Sequence, residues 1–340
     1  MNMRPVIIWL LAGCFLTAAM VVVGGITRLT RSGLSIVEWK PISGTLPPLN
    51  EEQWQAEFEL YQTSPEFKIR NSHFTLEDFK GIFWWEYIHR LIGRLIGVVF
   101  LVPFIVFLLQ KKIRGKLLWQ CLGLFALGGL QGLIGWIMVA SGLVDKPAVS
   151  HYRLALHLIT AFSVFAFTLW VALGLMEKKP IAESEHKVRL RKWLWFFFPL
   201  LLVQILYGAF VAGLKAGTVA NTWPTMHGEM APSAMADGFA YYGFAAFFED
   251  PITVHFIHRT FAYLVFLVPL FFLVRASMLK MDRNLKVVLH TLVAGVLLQF
   301  TLGVITVLLT VPVSMGAIHQ LGALVLWTIT WWGLHRTRKA

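Results

Sequence analysis

The chain has 340 residues, 57% of them hydrophobic and 14% charged, with a formal net charge of +12. The apolar residues fall in long blocks and do not alternate with polar ones, which is a membrane composition. The basic excess points away from nucleic acid, because Lys and Arg are split among short loops and form no continuous basic face. A hydrocarbon core of about 30 Å takes roughly 20 apolar residues per helical span. The sequence predicts eight spans, at 6–26, 83–109, 117–140, 152–176, 193–213, 255–274, 287–311 and 315–334. Backbone groups in lipid have no water to bond to, and these blocks are far too long for barrel strands, so the expected class is an all-α membrane protein.

The first block is too long for a removable signal peptide, lacks a small-residue cleavage site, and is expected to stay as a span. No Arg- and Ser-rich presequence precedes it, so the expected location is a bacterial plasma membrane. After it comes a loop with Pro47-Pro48 and the mixed stretch Glu51–Tyr61, a candidate cap. Thr75-Leu76-Glu77-Asp78 then reads as a capping box, so the second helix starts before the bilayer, with Trp84 and Trp85 at the interface. Residues 111–116, 178–192 and 275–286 carry the basic clusters, the second of them six Lys and Arg residues. These loops and both termini are therefore expected on the cytoplasmic side. Cys14 and Cys121 both fall inside predicted spans, and no disulfide is expected.

The same order of features occurs twice. Gly24-Gly25-Ile26-Thr27-Arg28, then Gly33, Trp39 and Pro41, follow the first span; Gly208-Ala209-Phe210, then Gly217, Trp223 and Pro224, follow the fifth. Glu86-Tyr87-Ile88-His89-Arg90 parallels His255-Phe256-Ile257-His258-Arg259, Gln131 to Gly135 parallels Gln299 to Gly303, and His157 parallels His319. The expected organisation is a four-helix half over 1–176, a cytoplasmic linker over 177–192 and a second half over 193–340. The halves would be parallel repeats, each a four-helix bundle.

His89, His157, His258 and His319 each follow the outer end of an even-numbered span by a few residues, which sets them at one depth. Ionisable groups within spans are costly and mark function by default. Imidazole pairs from facing helices, with no thiolate or carboxylate partner, suit the two axial positions of haem iron, whereas zinc or copper wants three or more ligands. His89 with His157, and His258 with His319, would make one site per half. Arg90, Arg153 and Arg259 lie at the outer rim, facing either haem propionates or lipid headgroups. Glu86 stands where the second half has His255, three residues before His89 and on its helix face. It is either a partner for Arg90 or Arg94 or a carboxylate beside the reacting group. His255 could bond a propionate or line the second pocket. His73, His151 and His227 read as loop residues; His186, His290 and His335 read as incidental groups of the inner side. Gln131 and Gln299 read as bonds between helices or as borders of a haem edge.

Across nearly its whole length the chain resembles haem A synthase, in the branch that includes the mitochondrial and proteobacterial enzymes. The resemblance rests on Gly24 to Ser35, Glu86-Tyr87-Ile88-His89-Arg90, the His157 region, His258-Arg259 and His319. It implies oxidation of the C8 methyl of haem O to the formyl of haem A. It also implies haem b on His258 and His319, the substrate haem flanked by His89 and His157, and a role for Glu86 in the oxidation. It further implies an electron partner of unidentified kind and contact with haem O synthase. Gram-positive relatives carry a cysteine pair in the first outer loop, whereas residues 27–81 here contain none. From the residues alone, two other classes stay open: a two-haem electron carrier of quinol oxidoreductase type, and a haem transporter or chaperone.

Overall fold

Residues 2–38, 43–143, 148–177 and 181–339 are described by a computed structural model. Trp39 and Pro41 of the first repeat motif lie outside the described residues. Eight helices are long and apolar enough to cross a membrane, and no strand occurs among the described residues. They are α1 (Arg4–Leu29), α3 (Leu76–Leu109), α4 (Lys116–Ala140), α5 (His151–Met176), α6 (Glu185–Leu214), α9 (Pro251–Met278), α10 (Arg283–Leu308) and α11 (Val313–Arg336). Shorter helices occupy the two long loops: α2 (Glu51–Gln62) in the first, α7 (Met235–Tyr242) and α8 (Ala246–Glu249) in the second.

Local chemistry sets where the spans begin. Thr75 and Asp78 form the reciprocal capping box, each side chain bonding the other's backbone amide, so α3 starts thirteen residues before His89. Asp250 caps α9 by accepting from the Thr253 amide at 2.8 Å, with Pro251 in the first turn. Ser184 caps α6 in the same way, and α6 ends where Lys215 turns left-handed.

Four spans, α1, α5, α6 and α11, meet at the centre. Gln320 of α11 donates to the Val21 carbonyl of α1 at 2.9 Å, and Trp327 of α11 donates to the Phe162 carbonyl of α5 at 3.0 Å. Arg28, at the end of α1, donates to the carbonyls of Ala212 and Gly213 at the end of α6. A core including Phe162, Leu194, Phe197, Leu201, Leu289, Leu292 and Trp327 fills the middle, and close packing of such side chains fixes helix positions. The outward faces are apolar, as lipid contact demands; Phe15, Leu109 and Trp119 are among the exposed side chains. Among the last four spans each helix packs on its neighbours, α9 on α10 included. Among the first four, α3 and α4 barely touch.

Candidate haem sites

The four histidines sit on four different helices: His89 on α3, His157 on α5, His258 on α9 and His319 on α11. His157, His258 and His319 lie six or seven residues into their helices, roughly 10 Å from the end that carries the long loops. Each ring lies against a glycine of the adjoining helix. A Cβ added at Gly24 of α1 would come 3.1 Å from His89, and one at Gly135 of α4 would come 2.8 Å from His157. At Gly208 of α6 it would come 3.2 Å from His258, and at Gly303 of α10 3.0 Å from His319. Bare backbone at these points lets an imidazole edge come close to its neighbour helix.

Three of the four are also gripped by a glutamine. The Gln131 amide donates to the His157 carbonyl at 3.1 Å, Gln204 to that of His258 at 3.1 Å, and Gln299 to that of His319 at 3.0 Å. The same amide nitrogen reaches a ring nitrogen in each case, at 3.4, 3.2 and 3.2 Å. Gln131 and Gln299 are visible in the sequence as helix-bridging residues. Gln204 makes the same contact at His258, and its signal in the sequence is the spacing: each glutamine stands four residues before the glycine that faces the histidine.

Glu86 is buried, with both oxygens engaged. Oε2 accepts from the Ser35 hydroxyl at 2.8 Å and the Ile36 amide at 2.9 Å, while Oε1 accepts from Arg90 at 2.7 and 3.1 Å. Arg90 in turn donates to the carbonyls of Ile36 and Glu38. The pair therefore staples the loop after α1 onto α3, one turn before His89. Arg259 does the corresponding work after α6, donating to the carbonyls of Thr222, Pro224 and Thr225. Arg153 is exposed.

At the second site two buried nitrogens, Nδ1 of His255 and Nη1 of Arg259, have no partner among the described residues. Unsatisfied buried donors are expensive, and an anionic group between them would relieve the cost. A haem fits the donor set: imidazoles for its iron, and at the second site free buried nitrogens for its propionates. Three of the remaining histidines have other neighbours. His151 lies 3.8 Å from Glu249, His227 bonds the Val219 carbonyl, and His335 pairs with Glu177.

The first long loop folds as a lid on α3. Trp54, Phe58 and Tyr61 of α2 are buried against Phe79, Phe83 and Tyr87, and the Tyr87 hydroxyl donates to the Thr45 carbonyl at 2.7 Å. Behind this cluster Glu66 is buried, and its carboxyl is pushed up to about 7. Burial is the main cause, followed by the charge of Glu86; Arg70, a Tyr61 hydrogen bond and Lys215 oppose it.

Residues 7–331 match the family described as cytochrome oxidase assembly protein. Among curated relatives, "Heme A synthase" of Nitrosomonas eutropha is 45% identical over 334 residues, covering 97% of this chain and 93% of that protein. "Heme A synthase" of Flavobacterium johnsoniae is 45% identical over 339 residues, covering 99% and 98%. That of Rhodospirillum centenum is 46% identical over 335 residues, covering 98% and 89%.

Proposed function

The chain belongs to the haem A synthase family of cytochrome oxidase assembly proteins, and on that premise we propose that it oxidises the C8 methyl group of haem O to the formyl group of haem A. The observation that carries this reading is the set of four half-buried imidazoles on α3, α5, α9 and α11, each set against a glycine of the neighbouring helix. His89 and His157 would flank the substrate haem, and His258 and His319 would hold haem b, with Arg259 and His255 at its propionates. The two halves, 1–176 and 193–340, are read as parallel repeats in a bacterial plasma membrane, with termini and basic loops cytoplasmic and both haem sites near the periplasmic face.

Methyl to formyl is two successive two-electron oxidations, and the haems supply the electron chemistry when bound. The chain's own residues do the rest. Glu86 and Arg90 fix the loop after α1 onto α3 beside His89, so the edge of a substrate held there would meet a constant wall. The carboxylate is the acid–base candidate at that edge, because it is held beside His89 and no acidic residue occupies the corresponding place, His255, in the second half. The Trp54 cluster shields the site from water. An electron partner and contact with haem O synthase belong to this reading, since the substrate is lipophilic and its oxidation must be coupled to a carrier.

The test is the pigment. Purified protein is expected to carry haem b and to convert added haem O to formyl-haem, seen by optical and mass spectra. Glu86→Ala is expected to retain haem b on His258 and His319 while the formyl product disappears. Normal haem A output from that variant would remove Glu86 from the chemistry; haem b alone with no change in added haem O would favour a carrier or transporter.

A further inference from the structure

The two long loops present opposite surfaces. On α2 the rings of Trp54, Phe58 and Tyr61 are buried against α3, and Glu51, Glu52, Gln55 and Glu59 are left exposed. In the second loop, residues 230–248 hold a single charged side chain, Asp237. Its large exposed side chains are Met230, Phe239, Tyr241, Tyr242 and Phe244, the last with 77% of its surface uncovered. An apolar patch of this kind marks a contact surface.

Contacts with the spans fix the height of this loop. Gly238, midway along α7, abuts Asp250, the cap of α9: a Cβ there would come 2.6 Å from the carboxyl carbon. Glu249 of α8 accepts from the hydroxyl of Tyr152, the second residue of α5, at 2.7 Å. The loop therefore lies across the ends of α5 and α9. In the register that pairs Glu86 with His255, Thr253 corresponds to Trp84, the exposed ring expected at the interface on α3. Thr253 bonds Asp250, so α7 lies at the depth where α3 shows a ring. The first turn of α9, Pro251-Ile252-Thr253-Val254, has no aromatic residue of its own. The patch is also continuous with a wall that lipid touches. Ring contacts run from Phe244 to Phe248 at 6.2 Å, on to Phe210 of α6 at 6.4 Å and to Tyr152 of α5 at 5.6 Å. One turn along α5 from Tyr152, Leu156 is exposed.

We propose that α7 and the turn after it are a membrane-interfacial anchor, lying in the leaflet on the long-loop side. Phe239 and Phe244 enter the acyl boundary, and the hydroxyls of Tyr241 and Tyr242 stay among the headgroups. That division is the one aromatic belts show, because a tyrosine has an apolar body and a polar tip. The partner is the phospholipid surface. With one charge in the loop, attachment runs through rings and needs no anionic lipid. Over α9 the interfacial rings thus come from a loop, where α3 supplies its own.

The experiment uses the full chain in nanodiscs of phosphatidylcholine alone, with an environment-sensitive fluorophore on Phe244→Cys; Cys14 and Cys121 are buried and take little label. Phosphatidylcholine carrying a nitroxide high on its acyl chain is expected to quench this probe several-fold more than aqueous iodide does. Glu59→Cys, on the exposed face of α2, is expected to show the reverse. In the unlabelled chain, hydroxyl-radical oxidation of Phe244 is expected to be slow in the same nanodiscs, which removes any influence of the probe. Iodide quenching at position 244 without an effect of the nitroxide lipid, or rapid oxidation of Phe244, would place the loop in water and overturn the proposal. Protection from both quenchers would put a protein surface, such as a second copy of this chain, on the patch, and overturns it as well.

Discussion

At each of the four glycines the space beside the histidine is set by a missing methyl group, so these positions gauge how closely a ring can approach the neighbouring helix. Gly135→Ala places a carbon 2.8 Å from Cε1 of His157, and Gly303→Ala places one 3.0 Å from Cε1 of His319. Neither ring can retreat freely, because the amide nitrogens of Gln131 and Gln299 lie against it at 3.4 and 3.2 Å. Gly303→Ala is expected to cost the second site its haem and leave the first loaded, and Gly135→Ala the reverse, measured as haem-to-protein ratio. Equal occupancy of both sites in either variant would show that the rings do not need the bare backbone. At this scale the sequence was partly readable. Histidines in apolar runs announce themselves because an ionisable group there is costly, and the repeat paired them. The clamp from Gln204 and the staples made by Arg90 and Arg259 were not readable, because their acceptors are backbone carbonyls on other elements, which leave no residue pattern. Glu86 shows the difference: its pairing with Arg90 was one of the two readings the sequence offered, but its bonds from the Ser35 hydroxyl and the Ile36 amide were not legible there.

Among the elements, the loop helix α2 was only a mixed stretch in the sequence, since its apolar residues Trp54, Phe58 and Tyr61 make too short a period to distinguish a lid from a surface turn. Spans were readable because an apolar block of about 20 residues has few other uses, and the start of α3 because a capping box is a local pattern. Two predictions belong to the lid. Trp54→Ala removes the ring that packs on Phe79 and Phe83, a loss of about 3 kcal/mol for a buried aromatic. The expected results are faster protease cleavage within 43–75 and a first site that loses haem more readily than the second. Glu66 makes the lid pH-sensitive. Its folded value near 7 lies above the ordinary 4.5, so the folded loop binds a proton that the open chain has released. That contribution is complete below 4.5 and is lost as pH rises to about 7. Protection factors of amides 51–71, with the intrinsic pH dependence of exchange divided out, are expected to fall across that window and then level off, and Glu66→Gln is expected to abolish the slope. A Glu66→Gln loop with the wild-type slope would assign the sensitivity to another group.

For the whole molecule, the centre of the fold joins its first and last four spans through Arg28, Gln320 and Trp327, so the two sites are held at a fixed separation by buried contacts and not by the linker. That rigidity matters only if both sites lie toward the same face, which the charge of the loops implies: the loop end that carries α2, α7 and the histidines is opposite the end that carries the basic clusters. Single-cysteine labelling tests it with little background, since Cys14 and Cys121 are both buried. Tyr241, 81% exposed in the loop before α9, and Glu185, whose side chain is 80% exposed at the start of α6, mark opposite ends of the spans. A membrane-impermeant maleimide applied to intact spheroplasts is expected to label Tyr241→Cys and to spare Glu185→Cys until the membrane is opened. The converse pattern would put the haem sites on the cytoplasmic face, where the source of electrons and the route of the product would both have to be drawn differently.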